Sequence, residues 1–173
     1  MTDNPRVPMV RLRAMEPEDL DILYHIENDR ALWNVGVSNV PYSRYVLRDY
    51  IAHSRNDIYA DRQLRLMIED EERQVAGIVD LVNFEPQHRK AELGILVRSE
   101  YRGKGIATAA LREMLSYAQN TIHLHQVYAF VDATNELSVN LFLKLNFRKS
   151  MFLKDWLYDG SKYHDAFIMQ FFL

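Results

Sequence analysis

The stretch at residues 99–115, "SEYRGKGIATAALREML", joins a glycine turn to a sequence with helical periodicity. Gly103 and Gly105 stand one residue apart, next to the basic side chains of Arg102 and Lys104. Apolar residues then recur at helical spacing, at Ala107, Ala110, Leu111, Met114, Leu115 and Ala118. This spacing predicts an amphipathic helix with one face in the core.

A glycine turn between a strand and a helix is suited to bind phosphate. The free N–H groups and the positive end of the helix dipole attract anionic oxygens, and glycine lets the backbone approach closely. The P-loop pattern is absent, and Thr108 occupies the position where a dinucleotide fingerprint needs Gly or Ala. Arg102 and Lys104 would suit a pyrophosphate. An ordinary strand-to-helix turn with surface charges fits the spacing equally well.

Composition narrows the class of protein. The chain has 173 residues, 48% of them hydrophobic, so we expect residues 1–173 to form a single domain. A net charge of -3 offers no basic field for nucleic acid. The absence of cysteine excludes disulfides, thiolate zinc sites and a cysteine nucleophile. Residues 1–10 lack a signal-peptide core, and the apolar run 166–173 is too short to span a bilayer. We expect a cytoplasmic protein without membrane or nucleic-acid partners.

The remaining patterns predict a mixed α/β (α+β) fold. Residues 10–15 read as a strand, and residues 16–29 and 44–54 as helices, the second capped by Ser43 after a loop at 33–43. Apolar runs at 62–69, 74–84 and 90–98 predict an antiparallel meander. After the glycine-turn helix come a strand at 126–132, a helix within 133–147, and two strands separated by the turn at 158–161. The predicted order is β-α-α-β-β-β-α-β-α-β-β.

Three segments together resemble one protein family. Residues 102–107, "RGKGIA", match [QR]-x-x-G-x-[GA], the signature of the GNAT superfamily of acetyl-CoA-dependent N-acyltransferases. Residues 135–147, "NELSVNLFLKLNF", are similar to its N-x-x-A-x-x-L-Y-x-K-x-G-F segment. Residues 75–97 resemble its polyamine and ribosomal-protein N-terminal acetyltransferase branch. The resemblance implies a GNAT-like, mostly antiparallel central sheet of about seven strands flanked by helices, with acetyl-CoA as co-substrate and no metal.

The resemblance also assigns the cofactor contacts. In the family, two central strands splay apart and the pantetheine arm lies between them, bound to exposed backbone. Ile95, Leu96 and Val97 match the positions that make these contacts, and an N–H there would face the thioester oxygen. Asn135 matches an asparagine that reaches the cofactor arm, although a plain helix cap is the alternative. The pyrophosphate would be wrapped by Arg102, Gly103, Lys104, Gly105, Ile106 and Ala107.

Acetyl transfer to an amine also needs a base. A primary amine has a pKa of about 10 and is mostly protonated at neutral pH. Glu92 matches the glutamate with which the branch binds the amine or positions a water as base. A solvated glutamate on a sheet face is the alternative. Asp80 and Glu85 are weaker candidates for holding a cationic substrate.

The chain departs from the family pattern at the general acid. Phe142 replaces the tyrosine that usually protonates the departing thiolate. Because thiols have a pKa of about 8.5, the thiolate can leave unaided, and either Ser138 or Tyr128 could supply a proton instead. Asn146 replaces the family's glycine, a mild change because asparagine tolerates a left-handed conformation.

The expected substrate loop departs as well. Residues 34–43, "NVGVSNVPYS", lack the glutamates with which polyamine acetyltransferases bind a polycation. Spermidine therefore ranks below other primary amines, including a peptide N-terminus or a small amino compound.

Two functions follow from these residues. The first is acetyl transfer to a primary amine of a small molecule, polyamine or peptide by direct attack in a ternary complex. The alternative is a catalytically weak or silent acyl-CoA-binding module, favoured by Phe142 and the altered loop. His123 and His125 lack a third ligand and are read as structural. A homodimer is left open.

Overall fold

The computed structural model describes residues 7–29, 40–55 and 57–173. Their strands form one seven-stranded sheet in the order β1-β2-β3-β4-β5-β7-β6. The strands are β1 (Arg11–Arg13), β2 (Leu64–Glu69), β3 (Val75–Glu85), β4 (Lys90–Val97), β5 (Gln126–Asp132), β6 (Arg148–Tyr158) and β7 (Tyr163–Phe172). All neighbouring pairs are antiparallel except β4 and β5. The predicted meander of β2, β3 and β4 and the mostly antiparallel sheet are confirmed.

The described helices are α1 (Leu20–Glu27), α2 (Arg44–His53), α3 (Ile58–Asp61), α4 (Ile106–Asn120) and α5 (Glu136–Lys144). The Ser43 hydroxyl accepts a hydrogen bond from the Val46 N–H (3.2 Å), so the predicted cap of α2 is confirmed. The short helix α3 was not expected from the sequence. The Asp57 carboxylate caps its start, and Arg62 ends it in a left-handed conformation (φ 57°).

The helices cover both faces of the sheet. On one face, α4 contributes Ala110, Leu111 and Met114 to a buried cluster that contains residues from five central strands. On the other face, Leu23 of α1 and Leu47 of α2 belong to a second buried cluster, which also contains β2 and β3 residues. The sheet therefore lies between two hydrophobic layers, as a mixed α/β fold requires.

Some expectations fall outside what the structure describes. Residues 33–39 of the predicted loop lie outside the described ranges. Among the described residues, no helix is long and apolar enough to cross a membrane. In the same ranges, no group of three or more His, Cys, Asp or Glu residues is placed to hold a metal ion. The single domain over residues 1–173 and the cytoplasmic location stay predictions.

Candidate active site

The parallel strands β4 and β5 pair over a short distance and then part. Their register has three residue pairs and ends with Glu92 opposite Tyr128. Beyond this point, β4 runs on to Val97 beside β3, and β5 runs on to Asp132 beside β7. In the part of the chain that the structure describes, the facing edges have no strand between them. Their backbone groups are available to an extended molecule that enters between the strands.

A glycine in β3 lets the end of β4 approach closely. A Cβ atom on Gly77 would lie 2.1 Å from the carbonyl oxygen of Leu96, closer than any side chain permits. Gly77 therefore helps to hold the second half of β4 against β3 and away from β5. Gly77 could not be identified from the sequence, because a lone glycine in a strand does not show which strand it faces.

The glycine turn presents unsatisfied donors at the start of α4. Gly103 and Gly105 have φ values of 74° and 81°, in the left-handed region that favours glycine. The first hydrogen bond of the helix runs from the Ala109 N–H to the Gly105 carbonyl (3.1 Å). The N–H groups of residues 106–108 therefore have no acceptor within the helix. No acidic side chain lies in the first turn, so the positive end of the helix is open to an anion.

The two basic side chains of the turn have different surroundings. The Arg102 Nε donates to the carbonyl oxygen of Val97 (2.9 Å) and ties the turn to the end of β4. The Lys104 ammonium lies 5.3 Å from the centre of the Tyr101 ring, and the Lys104 side chain is exposed. The turn therefore lies beside the end of β4, on the part of that strand that has left β5.

Asn135 is used as a helix cap. Its side-chain oxygen accepts a hydrogen bond from the Ser138 N–H (3.1 Å) at the start of α5. The preceding loop is held by Asp132, whose carboxylate accepts from the N–H and the hydroxyl of Thr134 (2.7 Å each). Because the Asn135 oxygen is engaged, its amide N–H group is the part that could reach a cofactor.

Glu92 lies at the point where the strands part. Its carboxylate accepts a hydrogen bond from the Asn83 side-chain amide (2.8 Å), and the residue is half-buried. Burial, and then the negative charge of Glu92, raise the pKa of the Tyr128 phenol above its usual value. Tyr128 therefore keeps its proton at neutral pH. Asn83, which has a φ of 50° at an irregularity in β3, was missed from the sequence.

The other two candidate carboxylates are engaged in ion pairs. Asp80 accepts two hydrogen bonds from the Arg65 guanidinium (2.9 Å each), and the same guanidinium also pairs with Glu27. Glu85 pairs with Lys90 (2.9 Å). Of the three predicted carboxylates, Glu92 is the one whose hydrogen-bond partner, within the described residues, is neutral. Arg65 was not identified from the sequence, because its two partners lie far from it along the chain.

Phe142 lies in the core. Its side chain is 3% exposed, and its ring meets the Phe147 ring edge to face. It shares a buried cluster with Ala129 and Val131, two residues of β5 beyond the point where β4 departs. The position therefore lies on the α4 side of the diverging strands and offers no proton. Asn146 has a φ of 66°, so the predicted left-handed conformation after α5 is confirmed.

Parallel central strands that part beside a glycine turn at a helix N-terminus define the class of acetyl-CoA-dependent N-acetyltransferases. The family model for the acetyltransferase (GNAT) domain matches residues 10–148 of the sequence, and the chain belongs to this family. Acetyl-CoA is its co-substrate. This agreement supports the enzyme over the silent binding module that the sequence left as an alternative.

Several known proteins are similar to this chain over almost its whole length. A spermidine N(1)-acetyltransferase of Escherichia coli K12 is 32% identical over 171 residues, covering 97% of this chain and 88% of that protein. A putative ribosomal N-acetyltransferase of Bacillus subtilis is 29% identical, covering 90% and 87% of the two chains. The structure of a spermidine N-acetyltransferase from Vibrio cholerae with CoA and spermine has a TM-score of 0.84 and 26% identity, covering 94% and 95%. Another structure of the Vibrio enzyme is dodecameric (TM-score 0.78, 27% identity, covering 94% and 93%).

Proposed function

We propose that the chain transfers the acetyl group of acetyl-CoA to a primary amine at the point where β4 and β5 part. The observation that carries this proposal is the position of Glu92, the last residue of β4 that pairs with β5. One side of this position has open strand edges, and the glycine turn lies at the far end of β4. A thioester that enters from the turn would bring its acetyl group toward Glu92.

The cofactor residues in this proposal are those that match the family motif. The backbone of Ile95, Leu96 and Val97 binds the pantetheine arm along the open edge of β4. Asn135 reaches the arm from the β5 side. The pyrophosphate lies on the turn at the N-terminus of α4, against Arg102, Gly103, Lys104, Gly105, Ile106 and Ala107. The open donors of this helix end suit the charge of that group.

The reaction in this proposal is a direct attack within a ternary complex. Glu92 removes a proton from the ammonium group, either directly or through a water, and the neutral nitrogen attacks the thioester carbon. A C–N bond forms, the C–S bond breaks, and CoA leaves as a thiolate whose conjugate acid has a pKa of about 8.5. The nitrogen loses a second proton to solvent after the attack, which leaves a neutral amide. The thiolate takes up a proton from solvent or from a nearby hydroxyl, for which Tyr128 and Ser138 are the candidates.

The names of the relatives suggest more than one class of amine substrate. The relatives from Escherichia coli and Vibrio cholerae are named for spermidine, and that from Bacillus subtilis for a ribosomal substrate. In this chain, Arg65 already pairs with both Asp80 and Glu27. A second positive charge on the substrate would have to compete with this guanidinium. This supports a primary amine with one charge near Glu92, in a small molecule or at a peptide N-terminus, over a polyamine.

Self-association is part of the proposal. The strand β6 lies at the edge of the sheet, and its Met151 and Phe152 side chains are more than half exposed. An exposed edge strand with apolar side chains can pair with a second copy. The dodecamer of the Vibrio relative is consistent with homo-oligomers, of which a dimer is the smallest. Sedimentation equilibrium tests this, and a monomer at all concentrations would contradict it.

The test of the proposed function is a turnover assay. The enzyme is incubated with acetyl-CoA and single amines from a panel of small monoamines, amino acids, short peptides and spermidine. Free thiol is followed, and the acetylated product is identified by mass spectrometry. The proposal predicts that thiol release equals product formation for at least one amine. Binding of acetyl-CoA without amine-dependent thiol release across the panel would contradict it.

A further inference from the structure

Three aromatic rings extend from Glu92 across the face of the sheet that also carries α1 and α2. Tyr128 is the register partner of Glu92 on β5. Its ring meets that of Phe130 edge to face, with centroids 5.9 Å apart. The Phe130 ring is stacked with that of Trp156, with centroids 5.8 Å apart and planes 20° apart. We call Tyr128, Phe130 and Trp156 the aromatic row.

The row depends on an irregularity in the edge strand. Phe130 lies on β5 and Trp156 on β6, and β7 separates these strands in the sheet. The register of β6 shifts between Leu153 and Leu157, and Asp155 within the shift has a φ of 51°. The Asp155 N–H is held by the Asp165 carboxylate (2.8 Å). Bulges of this kind redirect side chains, and this one carries Trp156 to the Phe130 ring.

Trp156 remains accessible after this stacking. Its side chain is 54% exposed, whereas Phe130 and Tyr128 are half-buried. A large apolar ring with so much exposed surface on the face of Glu92 can bury the apolar part of a ligand. The Glu92 carboxylate can hold a positive nitrogen, and the row beside it can cover a hydrophobic body, so together they complement the two parts of an amine.

The charges beside the row favour a single positive charge. Glu92 is hydrogen-bonded to the neutral Asn83, whereas Asp80 is paired with Arg65. At the far end of the row, Asp132 is paired with His164 (3.3 Å). A ligand with one ammonium group can place it against the Glu92 carboxylate and pack its apolar body against the rings. Of these three carboxylates, Glu92 is the one without a cationic partner among the described residues, so it is the place for the single ammonium.

We propose that the aromatic row is the acceptor-specificity site, and that the preferred acceptor is a monoamine with an aryl or extended alkyl group. This inference rests on the proposed function, since it places the acceptor amine at Glu92. It adds the chemical class of the acceptor and the residues Phe130 and Trp156, which bind the body of the acceptor and take no part in proton transfer.

The kinetic test compares 2-phenylethylamine, ethylamine and spermidine as acceptors. The wild type should use 2-phenylethylamine with a higher kcat/KM than the other two. Trp156→Ala should lower kcat/KM for 2-phenylethylamine by about tenfold or more, mainly through KM, because apolar contacts of this size discriminate to that extent. The KM for acetyl-CoA and the kcat/KM for ethylamine should stay near the wild-type values. The control is Tyr163→Ala, which removes an exposed ring (63%) from the neighbouring strand β7. Its ring packs against Tyr158, which is not part of the row, so this variant should behave as wild type.

A binding experiment tests the aromatic row independently of turnover. In a Trp33→Phe background, Trp156 is the remaining tryptophan, and its fluorescence is titrated with 2-phenylethylamine in the presence of CoA. A saturable change supports the row even if no amine in the panel is acetylated, in which case only the proposed function fails. A folded Trp156→Ala variant with unchanged kcat/KM for 2-phenylethylamine overturns the inference. A wild-type preference for spermidine also overturns it. A Trp156→Ala variant with a changed oligomeric state and an unchanged KM for 2-phenylethylamine would also overturn it, since Trp156 would then belong to an interface between copies of the chain.

Discussion

The Phe142 and Phe147 rings meet edge to face in the core, with centroids 4.9 Å apart and planes 76° apart. Phe147 is in turn packed against Phe171 of β7, with centroids 5.2 Å apart. These contacts join α5 to the sheet next to the strands between which the cofactor is proposed to bind. The position at which the family usually carries a proton-donating tyrosine is thus a packed aromatic position in this protein.

Restoring the hydroxyl with Phe142→Tyr should raise turnover or leave it nearly unchanged. If the thiolate leaves unassisted or with the help of water, an added phenol near the sulfur does no harm to the chemistry. The opposing effect is the burial of a hydroxyl without a partner, which costs about 1–3 kcal/mol. Turnover and melting temperature are therefore measured together. A stable variant with much reduced turnover would show that the leaving group is not near Phe142.

Charge reversal in the glycine turn should weaken cofactor binding. Lys104→Glu places a negative charge where the pyrophosphate is proposed to lie, and Lys104 is exposed, so the fold should survive. We expect the Kd for CoA, measured by calorimetry, to rise by about tenfold or more, because contacts to a charged group contribute about 1.5–3 kcal/mol. The effect should shrink at high salt.

The matched control for this prediction is Lys154→Glu, the same charge change at an exposed position on β6. Equal CoA affinity in both variants would remove the turn from the cofactor site. Gly105 is the less suitable position for this test. Its φ of 81° and a Cβ position 3.0 Å from the Pro8 ring mean that any side chain there strains the turn itself.

Local patterns predicted much of the fold. The periodicity of α4, the Ser43 cap and the left-handed Asn146 each depend on neighbouring residues, and the structure has all three. In the candidate site, only the residues that lie in family motifs could be predicted from the sequence. Arg65 meets Asp80 because β2 and β3 pair in one register, and it meets Glu27 because α1 packs over that face. The stacking of Phe130 with Trp156 needs an irregular strand. Contacts made by register, packing and bulges leave no periodic signal in the sequence.

The turn between β6 and β7 should make stability depend on pH. Hydrogen bonds, first from His164 (2.6 Å) and then from the Lys162 N–H and Ser161, hold the pKa of Asp159 well below its usual value. An acid with a lowered folded-state pKa stabilises the fold above its unfolded pKa, about 3.9, and this contribution is lost as pH falls further. Asp159→Asn should therefore lower the melting temperature at pH 7, and the difference from wild type should shrink progressively below about pH 4.

The control for the Asp159 prediction is Asp155→Asn, which removes a carboxylate from the same hairpin at an exposed position where asparagine tolerates the positive φ. Its effect on the melting temperature should be small at every pH. A difference between Asp159→Asn and wild type that stays constant from pH 7 to about pH 2 would show that the carboxylate charge is not what stabilises the turn.

The proposed role of Glu92 as the base for the amine is tested by steady-state thiol release from Glu92→Gln across pH. The substitution keeps the shape of the side chain and an acceptor for Asn83 but removes the base. We predict that kcat falls by about 10²–10⁴ and that the acidic limb of the pH–rate profile changes. The Kd for CoA should be unchanged, and Glu85→Gln, which removes a carboxylate paired with Lys90, should retain wild-type rates. Wild-type turnover by Glu92→Gln at every pH would show that Glu92 is not the base.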